Sequence, residues 1–118
     1  TVAEMIAVRG TLQASRQIFF VATGGFDSHD DQAQDQPGLL ANVSACLDAF
    51  YRATVEMGIA QDVTAFTQSD FGRTLTSNGD GTDHAWGGVQ LVVGGAVVRC
   101  ARRGSGAHRA RHRQFHAA

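Results

Sequence analysis

The sequence predicts an α/β fold, a mainly parallel sheet with flanking helices. Three stretches carry that expectation. Ile18-Phe19-Phe20-Val21-Ala22 is a continuous apolar run of strand length. Residues 39–54 repeat apolar side chains at helical spacing, and Val63-Thr64-Ala65-Phe66-Thr67 is short and rich in β-branched residues. Strand, helix, strand in that order is a βαβ unit with a right-handed crossover. A run that is apolar at every position suits a parallel strand covered on both faces.

Residues 2–9 place Val2, Met5, Ile6 and Arg9 on one helical face, and Gly10 is a natural stop. The strand at about 17–23 runs into Gly24-Gly25, which let the backbone turn sharply as it leaves the sheet. Loop 24–36 is polar and acidic, with Asp27, Asp30, Asp31 and Asp35. Pro37 then opens a helix at its first position, where a missing N–H costs nothing. Leu39, Leu40, Val43, Cys46, Leu47, Phe50, Tyr51 and Thr54 form its apolar stripe, which puts the Cys46 thiol on the buried face. Asp48, Arg52 and Glu56 fall four apart on the other face and can pair in sequence. Gly58 ends the helix. After the strand at 63–67, residues 71–88 form a Gly-rich loop without period, of a length more often functional than idle. Val89-Gln90-Leu91-Val92-Val93 resumes as a strand and Gly94-Gly95 turns.

At 118 residues, 43% apolar and 18% charged, the composition is that of one small globular domain with a real core. No apolar run approaches the ~20 residues of a membrane-spanning helix. The chain opens on Thr1 without a signal-peptide pattern, and reads as an internal piece of a longer protein. Cys46 and Cys100 have no metal or redox spacing. The net charge of −1 hides a break: all eleven acids lie at or before Asp83, whereas six arginines, three histidines and no acid follow Val98. Residues 1–98 therefore read as domain material and 99–118 as a basic tail. His108, His112 and His116 in that tail would align on a helix, and the arginines could attract phosphate. A disordered, solvated charge run accounts for it better, and nucleic acid is not an expected partner.

In the βαβ unit the carboxyl ends of both strands share one sheet edge. Asp27/His29 and Asp70 fall just past those ends, where open α/β sheets bind ligands. Asp27 and His29 lie on one side of an extended chain, because side chains alternate with period two. A carboxylate and an imidazole so held suit Zn or Mn, and Asp70 and His84 could complete the set. Each has a plainer account. Asp27 could bond backbone N–H groups in a turn with His29 merely exposed. Asp70 could cap a helix or pair with Arg73, and His84 could pack on Trp86. Arg73 could hold an anionic substrate bidentately or bridge to a loop aspartate. Asn78-Gly79-Asp80-Gly81-Thr82-Asp83 invites a calcium loop, but with Gly81 as the invariant glycine the first acid and the closing glutamate are absent.

Three motifs carry a resemblance. G-G-F-D-S-H at 24–29, S-D-F-G-R-T-L-T-S-N-G-D-G-T-D-H-A-W-G-G at 69–88 and V-V-G-G-A-V at 92–97 resemble the domain of unknown function 1501 family. The resemblance covers about residues 1–97 and corresponds to the C-terminal half of such a protein. That family is similar to the alkaline phosphatase and sulfatase superfamily, and its members often carry twin-arginine export signals. The resemblance implies that residues 1–98 are the C-terminal part of an alkaline-phosphatase-like α/β domain, from an exported, periplasmic parent. It implies that Asp27, His29, Asp70 and His84 ligate a divalent metal, Zn or Mn. Asp70 stands where the family usually has Glu, and Phe71 stands in place of a superfamily histidine, which puts the second metal site in doubt. The nucleophilic Ser or Thr would lie upstream, so this piece would not turn over substrate alone. Residues 99–118 depart from the family and read as a frameshifted or mispredicted end, which resequencing the gene would test.

The expected function is thus a fragment of a metal-dependent hydrolase of phosphate or sulfate esters, with a small anionic ester as substrate and Arg73 as a substrate-binding residue. The alternative is a non-catalytic exported protein that binds metal or anions. The sequence sets no oligomeric state.

Overall fold

The computed structural model describes residues 1–97. The tail at 99–118, with its three histidines, and Cys100 lie outside the described residues. Two helices are present, α1 (Val2–Ala7) and α2 (Gln32–Glu56), with four short strands: β1 (Thr64–Phe66), β2 (Gly72–Arg73), β3 (His84–Ala85) and β4 (Val92–Gly94).

The mainly parallel sheet is not formed. Among the described residues both sheets are two-stranded and antiparallel, β1 with β4 and β2 with β3. This overturns the α/β assignment and with it the partial alkaline-phosphatase-like architecture. Residues 17–23 belong to no helix or strand, and Ile18 and Phe20 are 92% and 91% exposed. The physical reason is cover. A parallel sheet needs helices on both faces, and the described residues supply one long helix and one of six residues. Among the described residues Ile6 and Ile59 are the buried apolar side chains, too few for a sandwiched layer.

Antiparallel pairing with β4 gives β1 its backbone partners instead. Thr64 faces Gly94, Ala65 faces Val93 and Phe66 faces Val92. Thr67 extends the pairing: its amide donates to the Leu91 carbonyl, and its hydroxyl accepts from the Leu91 amide and donates to Gln90, all within 2.9 Å. Gly94 and Gly95 permit the approach. A Cβ at Gly94 would stand 2.7 Å from the Val63 carbonyl, and one at Gly95 2.6 Å from that of Ala60.

Helix α2 starts five residues before Pro37, which lies inside it and not at its first position. The early start has a tertiary cause. The Gln32 amide donates to the Asp80 carbonyl at 3.1 Å, and the Gln32 side chain accepts from the Thr82 hydroxyl at 2.8 Å. The first turn is thereby held from outside the helix. The other end closes locally. Gly58 has φ +70°, its amide donates to Val55 and the Ile59 amide to Thr54, both at 3.0 Å. That is a Schellman cap, and it draws Ile59 and Thr54 into the core. The Asp48–Arg52 pair forms at 2.7 Å. The expected apolar stripe is narrower than its spacing suggests. Cys46 is exposed and not on a buried face, and Leu40 is half exposed.

Residues 71–88 are not structureless. Gly72 pairs with Ala85 and Arg73 with His84, and a further bridge joins Arg73 to Gly87. Gly72 and Gly87 allow it, since a Cβ on either would come within 2.7 Å of a facing carbonyl. The hairpin carries its loop, residues 74–83, back against the start of α2.

Candidate metal centre

The cluster is built on two arms, the loop before α2 and the β2–β3 hairpin. Gly25, at φ +94°, swings the first arm across Leu39. Beyond it Asp27 and His29 are exposed together, and Ser28 between them is half-buried. The Ser28 hydroxyl is buried and has no hydrogen-bond partner among the described residues.

The hairpin brings in His84. Its Nε2 lies 2.7 Å from Asp27 Oδ1, and His29 Nε2 lies 3.3 Å from the same oxygen. One ligand atom from each of Asp27, His29 and His84 falls within 4.8 Å of the others. An ionised carboxylate can only accept, so His84 carries its proton on Nε2 in this contact. The hydrogen bond from His84 is the main reason the Asp27 carboxyl is held below its usual range, opposed by desolvation and aided by the charges of His84 and His29. All three side chains are exposed, so their mutual attraction is weak in itself.

Neighbours set the ring orientations. The Phe71 ring stacks on His84 with centroids 3.8 Å apart and planes tilted by 14°. Trp86 is 83% exposed, and His84 packs on Phe71 instead. The other nitrogen of His29, Nδ1, lies 3.5 Å from Asp83 Oδ1. Asn78 donates to that same carboxylate oxygen and to the His29 carbonyl, each at 3.2 Å. Arg73 sits over the Phe71 ring at 5.3 Å and donates through Nη2 to the Phe26 carbonyl at 2.7 Å and through Nη1 to the Thr82 carbonyl.

Of the expected ligands, Asp27, His29 and His84 come together and Asp70 does not join the group. Asp70 is exposed, just ahead of β2. Asp83, Asn78 and Gln32 support the cluster in roles the sequence did not assign them. Asn78 and Asp83 lie in the stretch weighed as a calcium loop, where the template directed attention to a closing glutamate and away from a carboxylate beside an imidazole. Gln32 carried no signal, because its role depends on Asp80 and Thr82, about fifty residues away.

Comparison with known proteins gives one family match. The family described as Protein of unknown function (DUF1501) matches residues 1–112, a span that runs past residue 97, where the motif resemblance stops. Neither a curated protein nor a solved structure matches the chain.

Proposed function

We propose, for a chain that belongs to the family Protein of unknown function (DUF1501), that Asp27, His29 and His84 hold a divalent metal, Zn or Mn, in a hydrolase of phosphate or sulfate esters. The observation that carries this is the meeting of three ligand atoms from arms more than fifty residues apart. The donor set fits. Four-coordinate zinc with bonds of about 2.0–2.1 Å sets neighbouring ligands about 3.3 Å apart. The His29–Asp27 contact has that spacing at 3.3 Å, and the 2.7 Å His84–Asp27 contact must open by about half an ångström. Two nitrogens and one oxygen leave a coordination position open, as in catalytic zinc sites.

A bound divalent ion would supply Lewis acidity to a phosphoryl or sulfuryl oxygen. The chain's own residues prepare for it. Asp27 stays ionised at neutral pH, as a ligand must, and a neutral His84 would free Nε2 for an ion by carrying its proton on Nδ1 instead. Asp83 faces the second nitrogen of His29, the arrangement that fixes a ligand tautomer. By the superfamily resemblance the nucleophilic Ser or Thr would lie upstream of these residues, in an exported hydrolase.

A second reading, metal binding without turnover, draws on Phe71. It stands where the superfamily resemblance expects a histidine, and its ring is packed flat on His84.

Zinc titration of the full chain, with His108, His112 and His116 changed to Ala, tests the site. Near-stoichiometric zinc that is lost in the Asp27→Ala/His29→Ala/His84→Ala variant is expected. No uptake by the folded chain refutes it. Aryl phosphate and aryl sulfate hydrolysis by the full gene product then separates the two readings.

A further inference from the structure

We propose that Arg73 is the positioning residue of the cluster, a clamp that sets the distance between the Asp27/His29 arm and His84. The proposal rests on the metal reading only for its metal-binding arm. Its geometry stands on the hydrogen bonds alone.

The two arms have no covalent connection shorter than the whole of α2 and β1, so something must hold them in register. Arg73 is in the right place twice. Its backbone pairs with His84 in the β2–β3 ladder. Its side chain then reaches to both arms, to the Phe26 carbonyl one residue before Asp27 and to the Thr82 carbonyl two residues before His84. A planar guanidinium offers Nη1 and Nη2 in a fixed fork, so bonding both carbonyls fixes their relative position. An ammonium on a flexible stem is a point donor and cannot reproduce that constraint.

The underside is fixed as well. Phe71 touches both groups, with the guanidinium over its ring and the His84 imidazole stacked on it. Arg73, Phe71 and His84 are therefore packed together. Among the described residues no aspartate pairs with Arg73, so its placement follows from the carbonyls and the ring. Besides the Asp27–His84 bond itself, the other ties between the arms run from Asn78 and Asp83 to His29 and from Asp80 and Thr82 to Gln32, and Arg73 is the residue that reaches Phe26.

The test uses the full chain with His108, His112 and His116 changed to Ala, alongside Arg73→Gln, Arg73→Lys and an Arg52→Gln control. Without metal, NMR reads the cross-peak between the His29 and His84 rings, whose centroids are 4.9 Å apart. Cross-strand peaks between β1 and β4 report whether the fold persists. With Co²⁺, the visible spectrum reads coordination.

In both Arg73 variants the ring cross-peak should vanish while the β1–β4 peaks stay. Co²⁺ affinity should fall about 10- to 100-fold with an altered spectrum, as for lost outer-shell partners, and Arg52→Gln should match the parent. An unchanged cross-peak and spectrum in Arg73→Gln overturns the clamp. If the parent shows the cross-peak and Arg73→Gln loses it, but neither takes up Co²⁺, the clamp stands and the metal reading fails. If Arg73→Gln unfolds, Arg73→Lys decides: folded without the cross-peak supports the clamp, while folded with it, or unfolded too, overturns the assignment.

Discussion

Asp27 is where the chemistry of the cluster is most exposed to test. Its carboxylate accepts from His84, which stabilises the ionised form and depresses the pKa. A folded-state pKa below the unfolded one contributes stability above the unfolded value and loses it as pH falls through the folded value. A carbon-detected NMR titration should therefore place Asp27 below the ordinary aspartate value of about 3.9, and His84→Ala should move it back up. Ser28, its neighbour, makes the opposite case. An unpartnered buried hydroxyl carries a desolvation cost, so Ser28→Ala should be neutral or stabilising by up to about 1 kcal/mol. Chemical denaturation reads that change, and zinc uptake should not alter.

The elements differ in how much of their placement is local. The end of α2 is local: Gly58 at φ +70° closes the last turn with bonds to Val55 and Thr54. Gly58→Ala should cost about 1 kcal/mol or more, read as a lower denaturation midpoint at unchanged slope. This terminus was legible as a glycine after the last periodic residue. The start of α2 was not, because the bonds that hold Gln32 come from Asp80 and Thr82. The hairpin is likewise a matter of close approach. Gly81 lies against the His29 backbone so tightly that an added Cβ would overlap the His29 carbonyl. Gly81→Ala should push the hairpin loop away and weaken zinc binding by at least an order of magnitude, measured by competitive titration, while circular dichroism keeps the α2 signal. A sequence shows a glycine there but not what it touches.

For the whole molecule, thin burial makes any ligand influential. With Ile6 and Ile59 as the buried apolar side chains among the described residues, free zinc at about 100 times its Kd should add about 2.7 kcal/mol of stability. A thermal melt of the histidine-free-tail protein should shift upward accordingly, and the Asp27→Ala/His29→Ala/His84→Ala variant should not respond. The apolar run at 18–21, with Ile18, Phe20 and Val21 exposed, has the opposite effect, since unpaired apolar segments invite association between chains. Phe20→Lys should lower light scattering on concentration and leave the denaturation midpoint within about 0.5 kcal/mol, as for other exposed sites.

The sequence by itself determined what depends on near neighbours. It set the helix through residues 39–56 and its stop at Gly58, the Asp48–Arg52 pair, and the shared side of Asp27 and His29. Each follows from a period or a cap spanning a few residues, where the backbone has few alternatives. Tertiary structure decided the partner of residues 64–66, the start of α2 and the meeting of His84 with Asp27. Those choices rest on which distant backbone group satisfies a donor and on how much apolar cover is at hand. The apolar run at 17–23 expressed a strand's preference for burial. With only two helices in the described residues to cover a sheet, pairing β1 with β4 satisfied the backbone where the parallel alternative would have lacked cover on a face.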